Sequence, residues 1–249
     1  MRLPCPGPVV AILGLLMCGG CGDDAPASDA SPADAGPDAF NPCGDGKVQF
    51  TGEYVDWDST DVEFHGVAGA AVAVVGDADT TATTAPNGRS ILCLPAAAGS
   101  VVTYSHDDYL PARYTVAPAA AALGPYSARG LALKRVDGFF VDLDAVREPD
   151  AAQVLVEVRS YPSYVPVVGA TVTLSGGEAS YTQDGGGAWV SGDTLVAGGG
   201  AHVLIINVPV DEPVAVTVEA PGSRTCVGPG AIQVEASELA FTTFACADL

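Results

Sequence analysis

An apolar, glycine-bounded segment occurs twice in this chain. It appears as Val67-Ala68-Gly69-Ala70-Ala71-Val72-Ala73-Val74-Val75-Gly76 and again, 100 residues later, as Val167-Val168-Gly169-Ala170-Thr171-Val172-Thr173-Leu174-Ser175-Gly176. Self-similarity at a fixed spacing marks a duplicated structural unit, and a unit of roughly 90–100 residues is the size of a small sandwich of about seven strands. The flanks repeat as well. Each copy follows a strand-like stretch (Lys47–Val55; Gln153–Arg159) and a polar loop. Each precedes a Thr/Ser-rich stretch (Thr80–Thr84; Ala179–Gln183) and a turn (Pro86-Asn87-Gly88; Asp184-Gly185-Gly186-Gly187).

Within each copy the apolar residues alternate. Val154, Val156 and Val158 share one face of an extended strand, as do Val214, Val216 and Val218, and Leu204, Ile206 and Val208 repeat the pattern. β-Branched residues at period two, bounded by Gly, Pro, Asn and Asp, predict half-buried strands. Only Ala119–Leu123 has a locally helical composition. The expected fold class is all-β: two tandem β-sandwich domains, 44–141 and 150–249, joined near the charged, proline-containing Ala145–Asp150.

The N-terminus carries a different kind of signal. Arg2 is the only charge before Asp23, Val9–Met17 is an apolar stretch, and Gly19-Gly20 stand just ahead of Cys21. A cationic head, an apolar run of about 7–15 residues and a small-residue exit are the parts of an export signal. The run is too short for a membrane-spanning helix, which needs roughly 20 residues. The exit resembles the lipobox of bacterial lipoproteins, with Cys18 where a Leu is usual. The resemblance implies a signal peptide over 1–20, acylation of Cys21, and attachment to membrane lipid through two or three acyl chains, which anchor stably where one does not. Residues 22–42 hold five Asp and no Lys or Arg among Ala, Pro, Ser and Gly. Such a composition buries too little apolar surface to fold. Residues 21–43 therefore read as a lipidated, disordered acidic tether, and the expected location is the cell envelope.

Charge and cysteines narrow the partners. The formal net charge is −20, and losing Arg2 with the signal makes it one unit more negative. Without a basic patch, nucleic acid is not an expected partner, nor is electrostatic docking on anionic lipid. Of seven cysteines, Cys5 and Cys18 leave with the signal and Cys21 is acylated, so Cys43, Cys93, Cys226 and Cys246 remain. An even number in an exported chain predicts disulfides. Three pairings are possible, and closeness in sequence favours Cys43–Cys93 and Cys226–Cys246. Each would contribute roughly 3–4 kcal/mol in the loop-entropy model. Zinc is disfavoured because no C-x₂-C or C-x₂-H pair is present.

In the first copy the run Gly69–Gly76 is followed by Thr80–Gly88, an apolar strand over Arg89–Pro95, and Asp107-Asp108-Tyr109-Leu110-Pro111. Residues 47–116 thereby resemble the carboxypeptidase regulatory-like domain of transthyretin-like topology. The second copy matches through Val167–Gly176 and, more loosely, through Asn207-Val208-Pro209 and Val214–Gly222, without the tyrosine of the last motif. The resemblance implies a transthyretin-like or immunoglobulin-like sandwich used as an accessory module. The motifs are strand and turn signals, so they speak to fold rather than to chemistry.

No catalytic pattern stands out. His65, His106 and His202 are never at an H-x-H or H-x₃-H spacing, and no serine sits in G-x-S-x-G. The end Phe244–Leu249 lacks the Y-R-G-S of the transthyretin-like purine-pathway hydrolases, and the paired histidines of the intradiol dioxygenases are absent. Gly185–Gly187 and Gly198–Gly200 are not followed by helices and read as turns rather than phosphate loops. Asp56, Asp58 and Asp61, and Asp77 with Asp79, could offer oxygens to calcium, but the EF-hand spacing fails. Aromatics are more suggestive: Trp57 follows the first strand of one copy, and Tyr161 and Tyr164 occupy the corresponding loop of the other. Loops at one end of a sandwich gather into binding surfaces. The expectation is a non-catalytic envelope module without a cofactor, acting structurally or binding an envelope glycan or protein at Trp57, Tyr161 and Tyr164. The rival is a small hydrolase or metal-dependent enzyme on the same sandwich.

Overall fold

A computed structural model of the chain describes residues 42–59, 63–118 and 123–248. The signal segment, Cys21, all but Pro42 and Cys43 of the tether, Asp61 and residues 119–122 lie outside the described residues.

The first copy supplies seven strands: β1 (Lys47–Asp56), β2 (Ala71–Val74), β3 (Asp77–Thr83), β4 (Arg89–Pro95), β5 (Ser100–Ser105), β6 (Ala112–Val116) and β7 (Leu123–Gly130). A 3₁₀ turn (Leu133–Arg135) and helix α1 (Val136–Asp142) follow. The second copy supplies β8 (Ala152–Ser160), β9 (Thr171–Leu174), β10 (Ala179–Gln183), β11 (Trp189–Ser191), β12 (His202–Val208), β13 (Val214–Glu219), β14 (Arg224–Val227), β15 (Ala231–Ile232) and β16 (Leu239–Asp248). The mostly-β expectation holds. Among the described residues helicity falls at α1; the short stretch of helical composition, Ala119–Leu123, lies outside them except for Leu123 at the start of β7.

Both copies use the same frame. The first strand pairs parallel with the last, β1 with β7 and β8 with β16. The first strand also pairs antiparallel with a later one, β1 with β4 and β8 with β12. In the first copy the three-stranded sheet β4-β1-β7 faces β6-β5-β2-β3; in the second, β11-β10-β12-β8-β16 faces β15-β13-β9. The copies are not separate bodies, however. β16 also pairs parallel with β6, so that Leu239, Ala240 and Phe241 stand opposite Ala112, Arg113 and Tyr114. One sheet therefore runs β11-β10-β12-β8-β16-β6-β5-β2-β3 through both copies, and Phe40–Leu249 is one compact unit. Arg113, buried at this seam, is ion-paired to Glu235 and to Glu238, the latter at 2.9 Å. A buried guanidinium is tolerated only when paired in this way.

The shared sheet explains the burial pattern. Val154, Val156 and Val158 of β8 join Val203, Ile205, Val214 and Val216 in the second core, as their alternation predicts. Leu155, on the opposite face, joins Leu204, Ile206 and Phe241 in the first core with Phe50, Tyr54 and Tyr104. The alternation of Leu204, Ile206 and Val208 breaks at a bulge in β12. Asn207 there has φ of 54°, and Val208 turns to the second core. The Asn207 side chain donates to Val146 O and Glu178 Oε2 and accepts from Glu148 N, which satisfies a buried amide. Helix α1 buries Val136, Phe139 and Phe140, one helical face.

The favoured disulfides are both present. Cys43–Cys93 ties the N-terminal segment to β4, and Cys226–Cys246 links register partners on β14 and β16.

Candidate ligand-binding clefts

On the face of the central sheet that packs into the first core, β7 and the loop after β1 stand against strands of the second copy and leave clefts beside them. β6 accompanies β16 only as far as Phe241, beyond which Thr243 and Ala245 continue along the same face. On neighbouring strands, Thr243, Glu157 and His202 are register partners and form a row across β16, β8 and β12. Glu157 organises this row. Its Oε2 accepts from Thr243 Oγ1 at 2.9 Å, and its Oε1 is 2.6 Å from Arg159 Nε and 3.4 Å from His202 Nε2. Thr243 is hydrogen-bonded in turn to the buried Tyr114 hydroxyl at 2.5 Å. Burial alone pushes the Glu157 carboxyl up, but the His202 hydrogen bond and the charges of His202 and Arg159 outweigh it and hold the group at about 2.

Two clefts open on either side of this row, and Arg159 borders both. The first, about 680 Å³, lies between Tyr126 and Ser127 of β7, Glu157 and Arg159 of β8, and the loop carrying Tyr161 and Tyr164. Tyr161 and Tyr164 are 58% and 62% exposed, with ring centroids 5.9 Å apart in an edge-to-face arrangement. Their loop is fixed by its backbone: Tyr161 N donates to Cys246 O, and Tyr164 N to Ser160 O, each at 2.8 Å. Arg159 Nη1 donates to Tyr164 O at 2.8 Å. The exposed rings thus sit on an anchored loop beside the Cys226–Cys246 bridge.

The second cleft, about 620 Å³, lies between the copies. Trp57 and Trp189 meet there with ring centroids 6.1 Å apart, and Phe139 of α1 stands edge-on to Trp57 at 4.9 Å. Arg129 Nη1 donates to the carbonyls of Trp57 and Ser59, fixing that loop, and Arg135 is ion-paired with Asp58. Gln183, His202 and the glycine-rich turns complete the rim. At Gly199 an added Cβ would stand 2.0 Å from the Gln183 carbonyl oxygen, so this approach of loop to strand requires glycine.

The aromatic residues singled out by sequence are therefore divided. Tyr161 and Tyr164 lie in the first cleft; Trp57 lies in the second, is only 9% exposed, and chiefly covers the core. Sequence reasoning did not single out Tyr126, Glu157, Arg159, Trp189 or a binding role for His202. Only the i, i+2 placement of Glu157 and Arg159 on a strand was visible, and it is common on solvated faces. His65 is exposed, and His106 Nδ1 is 4.0 Å from Asp108 Oδ2. Asp56 accepts from Asp58 N and the Tyr109 hydroxyl, and Asp77 from Asp79 N and the Thr80 hydroxyl. Both carboxylates thus serve their own turns or a neighbour. Among the described residues no three His, Cys, Asp or Glu groups assemble to hold a metal ion, and no helix is long and apolar enough to cross a membrane.

No protein-family model matches the chain. No curated protein matches it either. Solved structures that align include the shaft pilin SpaA from Lactobacillus rhamnosus GG, at 9% identity over 82% of this chain and 98% of the pilin, with a TM-score of 0.25. Another is GBS52, a minor pilin of Streptococcus agalactiae, at 11% identity over 81% and 96%, with a TM-score of 0.26. The major pilin of Streptococcus pyogenes aligns at 13% identity over 82% and 99%, also with a TM-score of 0.26.

Proposed function

We propose that this chain is a non-catalytic binding module of the bacterial envelope, held to a membrane through acylated Cys21, whose paired clefts take a polymeric envelope ligand. The carrying observation is the first cleft. Exposed aromatic rings on a rigidly tied loop, beside a satisfied ion-pair row, offer a preformed surface for a ligand, at little ordering cost. The anchor rests on the export signal, the small residues before Cys21 and the acidic segment after it. The Glu157 carboxylate itself, held at about 2, is a poor proton acceptor near neutral pH.

Two experiments test the two halves separately. Cys21→Ser should move the protein from the membrane fraction to the soluble one, and continued membrane association would refute the anchor. An array of glycans, peptidoglycan fragments and envelope peptides should give a ligand whose binding is lost in Tyr161→Ala and Tyr164→Ala. Flat binding across the array leaves only a structural role.

A further inference from the structure

We infer that the two clefts together hold one uncharged oligosaccharide laid across the face of the shared sheet, an inference that rests on the binding role proposed above and names its ligand. The first ground is continuity. Arg159 borders both clefts, and β16, β8, β12, β10 and β11 follow one another without a break. Four inter-strand steps of about 4.8 Å give a floor about 19 Å across, room for several sugar rings end to end.

The second ground is charge. Arg135 is paired with Asp58, and Arg159 and His202 with Glu157, while Arg129 is turned to backbone carbonyls and Asp142 stands exposed at the rim. An ionic ligand would have to displace an existing partner, and the net charge of −20 repels acidic sugars. Paired groups nevertheless keep hydrogen-bonding capacity. Arg135 uses Nη1 for Asp58, leaving Nε and Nη2 as donors, and a carboxylate has more lone pairs than one partner occupies. Neighbouring hydroxyls on a sugar ring both donate and accept, so they can bridge such a pair without breaking it. The third ground is the placement of flat apolar surface. Tyr161 and Tyr164 stand at one end and Trp189 at the other, where the C–H faces of sugar rings can pack against them.

The test uses full-length protein in detergent on an array of neutral and uronate-containing oligosaccharides and envelope peptides. The best neutral hexasaccharide is then titrated calorimetrically. Trp189→Ala, Arg135→Gln and Tyr161→Ala should each weaken binding roughly tenfold or more, with circular dichroism unchanged. Affinity should change less than about twofold between low and moderate salt, since no net charge is neutralised. Arg135→Gln, at a partly exposed position, keeps the second cleft testable if Trp189→Ala misfolds. Binding of uronates alone overturns the inference, as does failure of every neutral glycan. Binding of peptides alone overturns it while leaving the binding role intact. Loss with Tyr161→Ala but not with Arg135→Gln overturns the two-cleft span.

Discussion

At the scale of single residues, burial separates the aromatics that hold the fold from those left at the surface, where the binding role is proposed. Trp57 is 9% exposed and wedged against Phe139 and Trp189, so Trp57→Ala should destabilise by about 3–5 kcal/mol. Tyr161→Ala or Tyr164→Ala, at exposed rings, should change stability by less than about 0.5 kcal/mol. Urea denaturation of the three variants decides this, and equal losses would contradict the division. Glu157 makes a pH-dependent contribution whose sign follows from its depressed ionisation. A carboxyl held at about 2 when folded, against the ordinary 4.5 of a free glutamate side chain, stabilises the fold fully above about pH 4.5. That contribution drains away as the pH falls through 4 and 3 toward 2. Glu157→Gln should therefore cost about 1–3 kcal/mol at pH 7, and its deficit relative to the parent should close at low pH. A deficit constant from pH 7 to 2.5 would refute the assignment.

At the scale of elements, the bulge in β12 shows how one residue re-aims a strand. Asn207 tolerates the left-handed region better than other non-glycine residues, and its amide closes three hydrogen bonds to the segment between the copies and to Glu178. Asn207→Ala should destabilise by about 2 kcal/mol or more, from αL strain together with the orphaned partners. Asn207→Gly, which relieves the strain but also loses the bonds, should lie between. Thermal melts of the pair give the order, and a Gly variant less stable than the Ala variant would argue against strain. Helix α1 was legible in principle: Val136, Phe139, Phe140 and Leu143 fall at helical spacing. Their pattern does not by itself mark a helix, because Val and Phe also favour strands and seven residues with an internal glycine (Gly138) carry little helical propensity of their own. Tertiary packing of those side chains into the first core, rather than propensity, makes this helix.

At the scale of the whole molecule, the C-terminal strand β16 decides how the copies relate. It completes the second copy by pairing with β8, and it joins that copy to the first through β6, Arg113 and the Tyr114–Thr243 contact. Residues 40–249 should therefore unfold in a single cooperative transition despite the internal repeat. Calorimetry of the oxidised protein tests this, and two resolved transitions would show the copies to be independent. Arg113→Met should leave Glu235 and Glu238 without their cation and lower the midpoint of that one transition, rather than split it.

The sequence by itself determined the strand content and the alternation that fills the second core, marked the repeated segment and favoured the local cysteine pairing. All of these follow from short-range periodicity and spacing. It also singled out Tyr161 and Tyr164, which stay exposed, and by the same reasoning Trp57, which is buried against the core. Tertiary structure alone decided that the copies share a sheet, since an edge strand such as β6 carries no mark naming its partner in the chain. It decided too that Thr243, Glu157 and His202, 86 and 45 residues apart in sequence, form one row. The clefts lie between that half-buried row and the parts of the first copy set against it, β7 and the Trp57 loop, a matter of strand lengths and register that no local pattern encodes.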